Sequence, residues 1–180
     1  MKVLATNIGE RKVIQWKNKS VETGIYKYPT NAPIFLGEED VKDDAVVDRK
    51  HHGGLDQAVY GYSAQHYAYF KDLHPNLEWE FGMFGENLTF DELDEETITV
   101  GSTYQLGECL LEVTKPRQPC FKLGIRFGTQ TIVKQFWNST KSGIYFKVLK
   151  TGIVETGDIL IPENIKKDTQ TIAEVYNTKK

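Results

Sequence analysis

Cysteine is scarce in this chain. Its 180 residues include two cysteines, too few for the disulfide framework that holds many small secreted domains together. A chain of this length should bury about 70% of the surface that its unfolded form exposes, so it needs no such framework. The sequence also has no CxxC pair, which argues against a structural zinc site of the usual kind.

Long apolar runs and an excess of one charge are missing as well. No window approaches the roughly 20 apolar residues of a transmembrane helix, and residues 1–10 lack the apolar stretch of a signal peptide. Lysine and arginine total 22 against 25 aspartate and glutamate, a formal net charge of -3. Such a balance gives no general attraction to nucleic acid or anionic membranes. We therefore expect a cytoplasmic protein with no nucleic-acid partner and no membrane partner.

Short β-rich runs make up much of what the chain does contain. Alternation in residues 109–114 puts Cys109, Leu111 and Val113 on one face, and Gly107-Glu108 predicts a hairpin before them. The predicted strands are 12–16, 98–106, 109–114, 144–149 and 159–161. Two helices are predicted, over 63–73 with Ser63 as N-cap and over 129–137. This pattern predicts a mainly β (α+β) fold, a barrel or sandwich with a few inserted short helices.

No linker divides the chain, because glycine and proline are spread between the predicted elements. The sequence predicts one domain over residues 1–165. Residues 166–180 are predicted to form a polar C-terminal tail, which is a usual place for fraying.

Cys120 stands in unusual chemical surroundings, the segment KPRQPCFKLG at 115–124. Two prolines stiffen this loop. Lys115, Arg117 and Lys122 bring positive charge close to the thiol, and positive neighbours favour the thiolate, the reactive and metal-binding form. We predict that Cys120 is functional, whereas Cys109, in its alternating strand, is an inert core residue.

Three further segments carry polar groups beside glycines or aromatic residues. In HHGG, 51–54, the glycines permit close approach to a ligand, but a tight turn with solvated histidines fits equally well. In GENL, 85–88, Asn87 is expected to bridge neighbouring loops. Lys27, between two tyrosines, carries little signal by itself. A soft thiolate, cations and a glycine-rich backbone would together suit an anionic, phosphate-bearing heterocycle that carries a metal.

Six segments, in this order and spacing, resemble the MOSC domain, the family named for the C-terminal domain of molybdenum cofactor sulfurase. The resemblance covers about residues 1–162 and is strongest to the bacterial YiiM-like subgroup. Asp43-Asp44 stands where the family usually has Gly-Asp. The segments are TGIYKYP (23–29), HHGGLDQAVYGY (51–62), FGENLTF (84–90), KPRQPCFKLGIRFG (115–128), SGIYFKVLKTG (142–152) and VETGDIL (154–160).

The resemblance implies a MOSC-type β-barrel that binds the pterin-based molybdenum cofactor, molybdopterin. It implies that Cys120 is the thiolate ligand to molybdenum, and that Cys120 and His52 are the catalytic residues. His52 would contact the cofactor or supply a proton, since an unperturbed histidine pKa of about 6.5 suits transfer near neutrality. The resemblance implies contacts to the cofactor or substrate from Lys27, His52, Asn87, Arg117 and Cys120. Local chemistry adds Gly53, Gly54 and Lys122 to the predicted cofactor-binding residues.

Three functional hypotheses stay open at this stage. The first, which the resemblance favours, is an oxidoreductase that removes oxygen from small N-hydroxylated substrates, either hydroxylamines or N-hydroxylated bases. Because no flavin, NAD or iron–sulfur motif is present, its electrons would come from a separate donor protein. The second is a sulfur carrier or cofactor-delivery module with a persulfide on Cys120. The third is a zinc-binding or structural domain, and the oligomeric state stays open in all three.

Overall fold

The computed structural model describes residues 1–47 and 53–179, which form twelve β-strands, four α-helices and one short 3₁₀-helix, Leu55–Gln57. The strands are β1 (Val3–Gly9), β2 (Lys12–Trp16), β3 (Lys19–Thr23), β4 (Lys27–Thr30), β5 (Ile34–Leu36), β6 (Val59–Ser63), β7 (Leu88–Phe90), β8 (Thr103–Leu106), β9 (Cys109–Pro116), β10 (Ile144–Lys150), β11 (Gly152–Val154) and β12 (Ile161–Asn164). The α-helices are α1 (Ala64–Leu73), α2 (Phe121–Arg126), α3 (Thr131–Asn138) and α4 (Ile172–Asn177). The chain is mainly β with few helices, as predicted.

Eight strands form one sheet in the order β12-β8-β9-β10-β6-β7-β1-β4. Only the β6–β7 pair is parallel, and the other pairs of this sheet are antiparallel. The predicted MOSC-type β-barrel is not closed among the described residues, because the edge strands β4 and β12 share no ladder. Instead, Met1 and Val3 exchange a few backbone hydrogen bonds with residues 157–160, just before β12. Alternation predicts which face of a strand is buried but not which strands pair, so closure could not be predicted from it.

The predicted hairpin around Gly107 is confirmed. Cys109, Leu111 and Val113 on β9 are all fully buried, as their alternation predicts. The strand before them is shorter than expected, because residues 98–102 turn instead of extending, with Gly101 at a φ of 82°. Ile98 is nevertheless buried, so its apolar character reflects packing and not strand pairing.

Both predicted helices are present within two residues of their expected ends. The hydroxyl of Ser63 accepts a hydrogen bond from the backbone N–H of Gln65 and so caps α1 as predicted. Helix α2 was not predicted, because six residues are too few to show a helical period. None of the described helices combines the length and apolar character needed to cross a membrane.

The C-terminal segment contains α4 and is not a uniformly free tail. Ile172, Ala173 and Tyr176 are buried, and the Tyr176 hydroxyl donates to the backbone oxygen of Phe136 at 3.1 Å. A capping box joins Thr171 and Glu174 at the start of this helix. That Thr-x-x-Glu spacing is the sequence signal for α4, and the predicted polar tail did not take it into account.

The buried hydrophobic residues that the structure describes form two clusters. One of them, rich in aromatic side chains, lies around α1, α2 and α3. Leu123 and Phe127, within and just after α2, are at most 2% exposed in it. Burial of such a side chain contributes about 1.5–3 kcal/mol to stability. This anchoring holds the short helix in place, and with it Cys120, the residue at its N-cap.

Candidate functional site

A cavity opens where β4, β6 and β10 meet the loop after β9 and the start of α2. The space between its lining residues amounts to about 670 Å³ when the open solvent at its mouth is counted. Gly54 is not among the lining residues, and His52 lies outside the described part of the chain. The predicted cofactor residues that line the cavity are Lys27, Gly53, Asn87, Arg117, Cys120 and Lys122. The fold therefore brings together residues that are up to 95 positions apart, 27 to 122, in the sequence.

Strand register places two tyrosines beside this cavity. Tyr145 on β10 pairs with Tyr60 on β6 and, on its other side, with Lys115 on β9. The ring centres of Tyr60 and Tyr145 are 5.0 Å apart, and both residues line the cavity. Burial raises the pKa of each phenol, with Arg117 opposing the shift, so both stay neutral hydrogen-bond donors near neutral pH. Neither was predicted as a site residue, although each lies in a segment that carries the family resemblance.

Arg117 follows β9 and is only 5% exposed. Its guanidinium carbon lies 5.2 Å from the ring centre of Tyr60 and 5.5 Å from that of Phe136, which gives favourable cation–π contacts. Its Nη1 atom is buried and has no hydrogen-bond partner among the described residues. An arginine stays charged at any ordinary pH, so its guanidinium adds positive charge to the cavity lining and favours an anionic ligand there.

Lys27 forms a buried ion pair with Asp44. Their side chains are 9% and 3% exposed, and the ammonium nitrogen contacts Oδ2 of the carboxylate. Asp44 also accepts hydrogen bonds from the backbone N–H of Gly9 at 2.7 Å and from the amide of Asn87 at 2.9 Å. Burial lowers the pKa of Lys27, and Asp44 counteracts that shift. Asp44 therefore helps keep the lysine charged and fixes its position.

Asp44 was not among the predicted site residues, although it matches the aspartate of the family's Gly-Asp pair. Asp43 replaces the glycine of that pair and has a φ of 65°, in the left-handed region that glycine favours. Aspartate tolerates this region better than most residues. Asp43 therefore adopts a left-handed conformation directly before Asp44, which contacts Lys27.

Asn87 uses its side chain to join three parts of the chain. Its Oδ1 accepts a hydrogen bond from the backbone N–H of Tyr60 at 3.3 Å, and its Nδ2 donates to Asp44. Nδ2 also lies 3.4 Å from the backbone oxygen of Asn7. These contacts agree with the bridging role expected from local chemistry. Direct contact between Asn87 and a cofactor stays a prediction.

The two cysteines lie in opposite environments. Cys109 is fully buried, and this burial raises the pKa of its thiol to about 11, so it stays a neutral core residue. Cys120 is partly exposed, lines the cavity and has no capping hydrogen bond from its side chain to α2. Cys120 is therefore the thiol that a molecule in the cavity can reach.

The charges around the cavity are unequal. Lys27, Arg117 and Lys122 bring three cations to its lining, against the single carboxylate of Asp44 among the described lining residues. All three cationic residues are at most 8% exposed. Because charges interact more strongly away from bulk water, this lining favours an anionic ligand despite the chain's net charge of -3.

Two glycines at the edge of the site have backbone conformations that other residues rarely adopt. Gly53 and Gly54 have φ angles of 74° and 81°. A side chain at Gly53 would also approach Val46 to 2.8 Å. The Gly54 N–H donates to the backbone oxygen of Glu39 at 2.9 Å. In this structure Gly53 therefore lines the cavity, while Gly54 holds the turn beside it.

Glu86 is a fully buried carboxyl group next to the site residue Asn87. Its Oε1 accepts hydrogen bonds from the hydroxyl of Tyr67 at 2.5 Å, the backbone N–H of Gly82 at 2.9 Å and the hydroxyl of Thr89 at 2.9 Å. Its Oε2 has no partner among the described residues. Burial raises the pKa of Glu86 above 4.5, although the hydrogen bonds to Oε1 oppose that shift.

Ionisation of Glu86 is expected to lower the stability of the wild-type protein as the pH rises. The variant Glu86→Gln should not show this loss. A carboxyl whose pKa is raised by folding stabilises the protein below its unfolded pKa of 4.5, and that stability is lost as the pH rises through the folded pKa. Glu86→Gln keeps the acceptor Oε1 but cannot ionise. We expect the free energy of unfolding, measured by urea denaturation from about pH 4.5 to 8, to fall less in the variant than in the wild type. Parallel pH dependences would show that Glu86 does not titrate in this way.

The described residues contain no group of three or more His, Cys, Asp or Glu side chains arranged to hold a metal ion. Zinc in proteins usually takes three or four such ligands. A single reachable thiol among cations instead suits a metal that arrives with organic ligands of its own. Within the described part of the chain, the zinc hypothesis therefore has no site.

Comparison with known families adds to this geometry. The sequence profile of the MOSC domain matches residues 48–160. The chain belongs to the MOSC domain family. It is 36% identical over 155 residues to the protein YflK of Bacillus subtilis, which covers 86% of this chain and 70% of YflK.

Two further MOSC relatives are informative. A protein named as a reductase in Gibberella moniliformis is 34% identical over 143 residues, covering 78% of this chain but only 25% of that protein. The crystal structure of YiiM from Geobacillus stearothermophilus superposes with a TM-score of 0.81 at 29% identity, covering 99% of this chain and 83% of the YiiM chain. The YiiM-like resemblance seen in the sequence is confirmed.

Proposed function

We propose that this MOSC protein binds the molybdenum cofactor and uses it to reduce small N-hydroxylated molecules. The observation that carries the proposal is the presence, in the lining of one cavity, of a reachable Cys120 together with the buried guanidinium of Arg117. The first suits a metal that prefers sulfur ligands, and the second suits an anion.

The cavity lining fits such a cofactor. Lys27, Arg117 and Lys122 would hold its anionic groups, and Cys120 would offer a thiolate to the metal. Asp44 and Asn87 would keep Lys27 in place through the contacts described above. When bound, the cofactor supplies the two-electron redox chemistry, and the protein supplies position and electrostatics.

Reduction of an N–OH group consumes two electrons and two protons, breaks the N–O bond and releases water. The chain offers neutral hydrogen-bond donors at the cavity, namely the phenols of Tyr60 and Tyr145, whose raised pKa keeps them protonated. The Tyr60 hydroxyl already donates to the backbone oxygen of Ser142 at 2.8 Å. Tyr145 is therefore the better placed of the two to donate a hydrogen bond to a bound substrate, while proton transfer stays the role expected for His52.

The relative named as a reductase supports an oxidoreductase role. This chain spans a quarter of that protein, so the proposal depends mainly on the cavity and on membership of the family.

The test is to express the protein in cells with an intact cofactor pathway and to measure three quantities together. These are its molybdenum content, its pterin content and its reduction of a hydroxylamine and an N-hydroxylated base with reduced methyl viologen as electron source. We expect molybdenum and pterin in equal amounts and consumption of both substrates. Full cofactor occupancy without reduction of either substrate would contradict the proposal. If native Cys120 also carried the mass of one extra sulfur atom, the sulfur-carrier alternative would be favoured.

A further inference from the structure

We propose that the hairpin β2–β3, together with the adjoining surface of α2, is the docking face for an acidic electron-donor protein. This inference rests on the proposed reductase function, which needs electrons from outside the chain. Binding of the electron donor is thereby assigned to one surface, and the donor is expected to be acidic.

The hairpin stands apart from the main sheet as a separate two-stranded sheet. Its tip is a tight turn in which Lys17 and Asn18 have φ angles of 47° and 62°, the conformation of turns that join twisted antiparallel strands. Lys17 and Lys19 are exposed there. The tip is therefore accessible to another molecule.

The hairpin carries a net positive charge, whereas the whole chain is negatively charged. Residues 10–23 contain four cations, Arg11, Lys12, Lys17 and Lys19, against two carboxylates, Glu10 and Glu22. The chain as a whole has a net charge of -3. A positive projection on a negative molecule orients an acidic partner toward that projection, because complementary fields steer encounters.

The base of the hairpin belongs to the candidate site. Thr23, at the end of β3, lines the cavity together with Gly24 and Ile25. Ile14 and Ile25 are 8% and 9% exposed, so apolar packing holds the hairpin at its inner side. A partner on the hairpin would therefore lie next to the cavity.

An aromatic stack connects the hairpin with the neighbourhood of Cys120. The ring of Trp16 stacks on that of Phe121 with centres 4.9 Å apart and an angle of 21° between planes. Phe121 is the first residue of α2 and follows Cys120 directly in the sequence. The surface of the hairpin thus continues over two stacked rings to the residue next to the candidate metal ligand.

A second set of contacts fixes the hairpin against α2. Lys12 lies 4.8 and 5.0 Å from the ring centres of Tyr26 and Tyr28, and Arg126 lies 5.1 and 5.2 Å from the same two rings. Arg126 also pairs with Glu80 at 3.0 Å. A face held in this way is preorganised for a brief encounter, the kind of contact that electron-transfer partners make with small interfaces.

The number of electrons that the reaction needs determines how often the donor must bind. A one-electron donor is oxidised once at each encounter, so two encounters supply the two electrons that break one N–O bond, and the oxygen leaves as water with two protons. Fast binding and fast release therefore matter more than tight binding. Exposed lysines at a hairpin tip suit this need, because their attraction acts at long range and is weakened by salt.

The test reverses the charge at the tip with the double variant Lys17→Glu/Lys19→Glu. The matched control, Lys166→Glu/Lys167→Glu, makes the same change in net charge at exposed lysines between β12 and α4. Reduced flavodoxin, a small acidic one-electron donor, is the probe. We expect the KM for flavodoxin to rise about tenfold in the tip variant at low salt, a change of about 1.4 kcal/mol. We expect little change in the control.

Three readouts separate the possible outcomes. Calorimetric binding of flavodoxin should weaken in the tip variant, and the difference from wild type should shrink at high salt. Reduction driven by methyl viologen at high salt should be the same in all three proteins, because it needs no docking face. Equal effects of the tip and control variants, or an unchanged KM and binding constant in the tip variant, would overturn the docking proposal. No viologen-driven reduction even in the wild type would instead count against the reductase function, and the binding measurement would still test the surface.

Discussion

Replacing Cys120 with alanine is expected to lower the molybdenum content of the purified protein at least tenfold. Cys120 is the thiol that the cavity exposes, and no cluster of other metal-binding side chains is present in the described residues to compensate for its loss. Loss of a group that merely supports a metal ligand already costs about 10- to 100-fold in metal affinity or activity, so loss of the ligand should cost at least as much. Activity with N-hydroxylated substrates should fall with the metal.

Molybdenum and pterin should be measured separately, by metal analysis and by fluorescence of the oxidised pterin. Cys109→Ala is the control, because it removes the other thiol from the fully buried face of β9. We expect Cys109→Ala to keep its molybdenum and to lose about 1–2 kcal/mol of stability, the range of a small core truncation. Cys120→Ala should instead lose molybdenum and keep its stability.

Because the pterin itself binds the metal, molybdenum and pterin should fall together in Cys120→Ala. Wild-type molybdenum in Cys120→Ala would exclude Cys120 as a ligand. In that case the cationic lining alone would hold the proposed cofactor, and its pterin would bind the metal.

Replacing Asp44 with alanine is expected to destabilise the fold by about 3–5 kcal/mol. The substitution leaves the buried ammonium of Lys27 without its carboxylate, and removal of one partner of a buried ion pair usually costs this much. It also takes a hydrogen-bond acceptor from Gly9 and Asn87. Asp44→Asn should cost less, since it keeps an acceptor while it removes the charge.

The control is Glu22→Ala, which breaks the exposed ion pair with Arg11 at 3.2 Å and should change stability by less than about 1 kcal/mol. The dependence on pH gives a second readout. Without Asp44, burial lowers the pKa of Lys27 further, so the folded state is penalised while the lysine is charged. The difference in free energy of unfolding between the wild type and Asp44→Ala should therefore decrease as the pH rises toward 10.5, the ordinary pKa of lysine. A deficit in Asp44→Ala that stays constant with pH would show that lost hydrogen bonds, and not the uncompensated charge, cause it.

The strands and helices that were predicted correctly share one property, a strong local signal. The alternation of Cys109, Leu111 and Val113 identified β9, and the serine cap identified α1. Helix α2 has only six residues and buries Lys122 and Gly124 beside Leu123, so its sequence shows no apolar stripe. Barrel closure could not be predicted because it depends on which strands pair, and pairing is a long-range property.

The candidate site divides in a similar way. Residue chemistry and family resemblance were enough to predict Lys27, Arg117 and Cys120 as site residues, and all three line the same cavity. They did not identify Asp44 as the partner of Lys27, or Tyr145 as the neighbour of Tyr60, because those pairs are joined across strands and loops. His52 falls outside the described residues, so its predicted role stays a prediction.

By itself, the scarcity of cysteine determined that no disulfide framework holds this protein, and the cations around Cys120 distinguished that cysteine from Cys109. Only the tertiary structure decided that Cys120 faces the same cavity as Lys27 and Arg117, and that one guanidinium nitrogen there has no partner within the described residues. The reason is physical. A thiol's neighbours in sequence are fixed by covalent bonds, whereas its neighbours across a cavity are fixed by strand register and by the packing of Leu123 and Phe127 beneath α2.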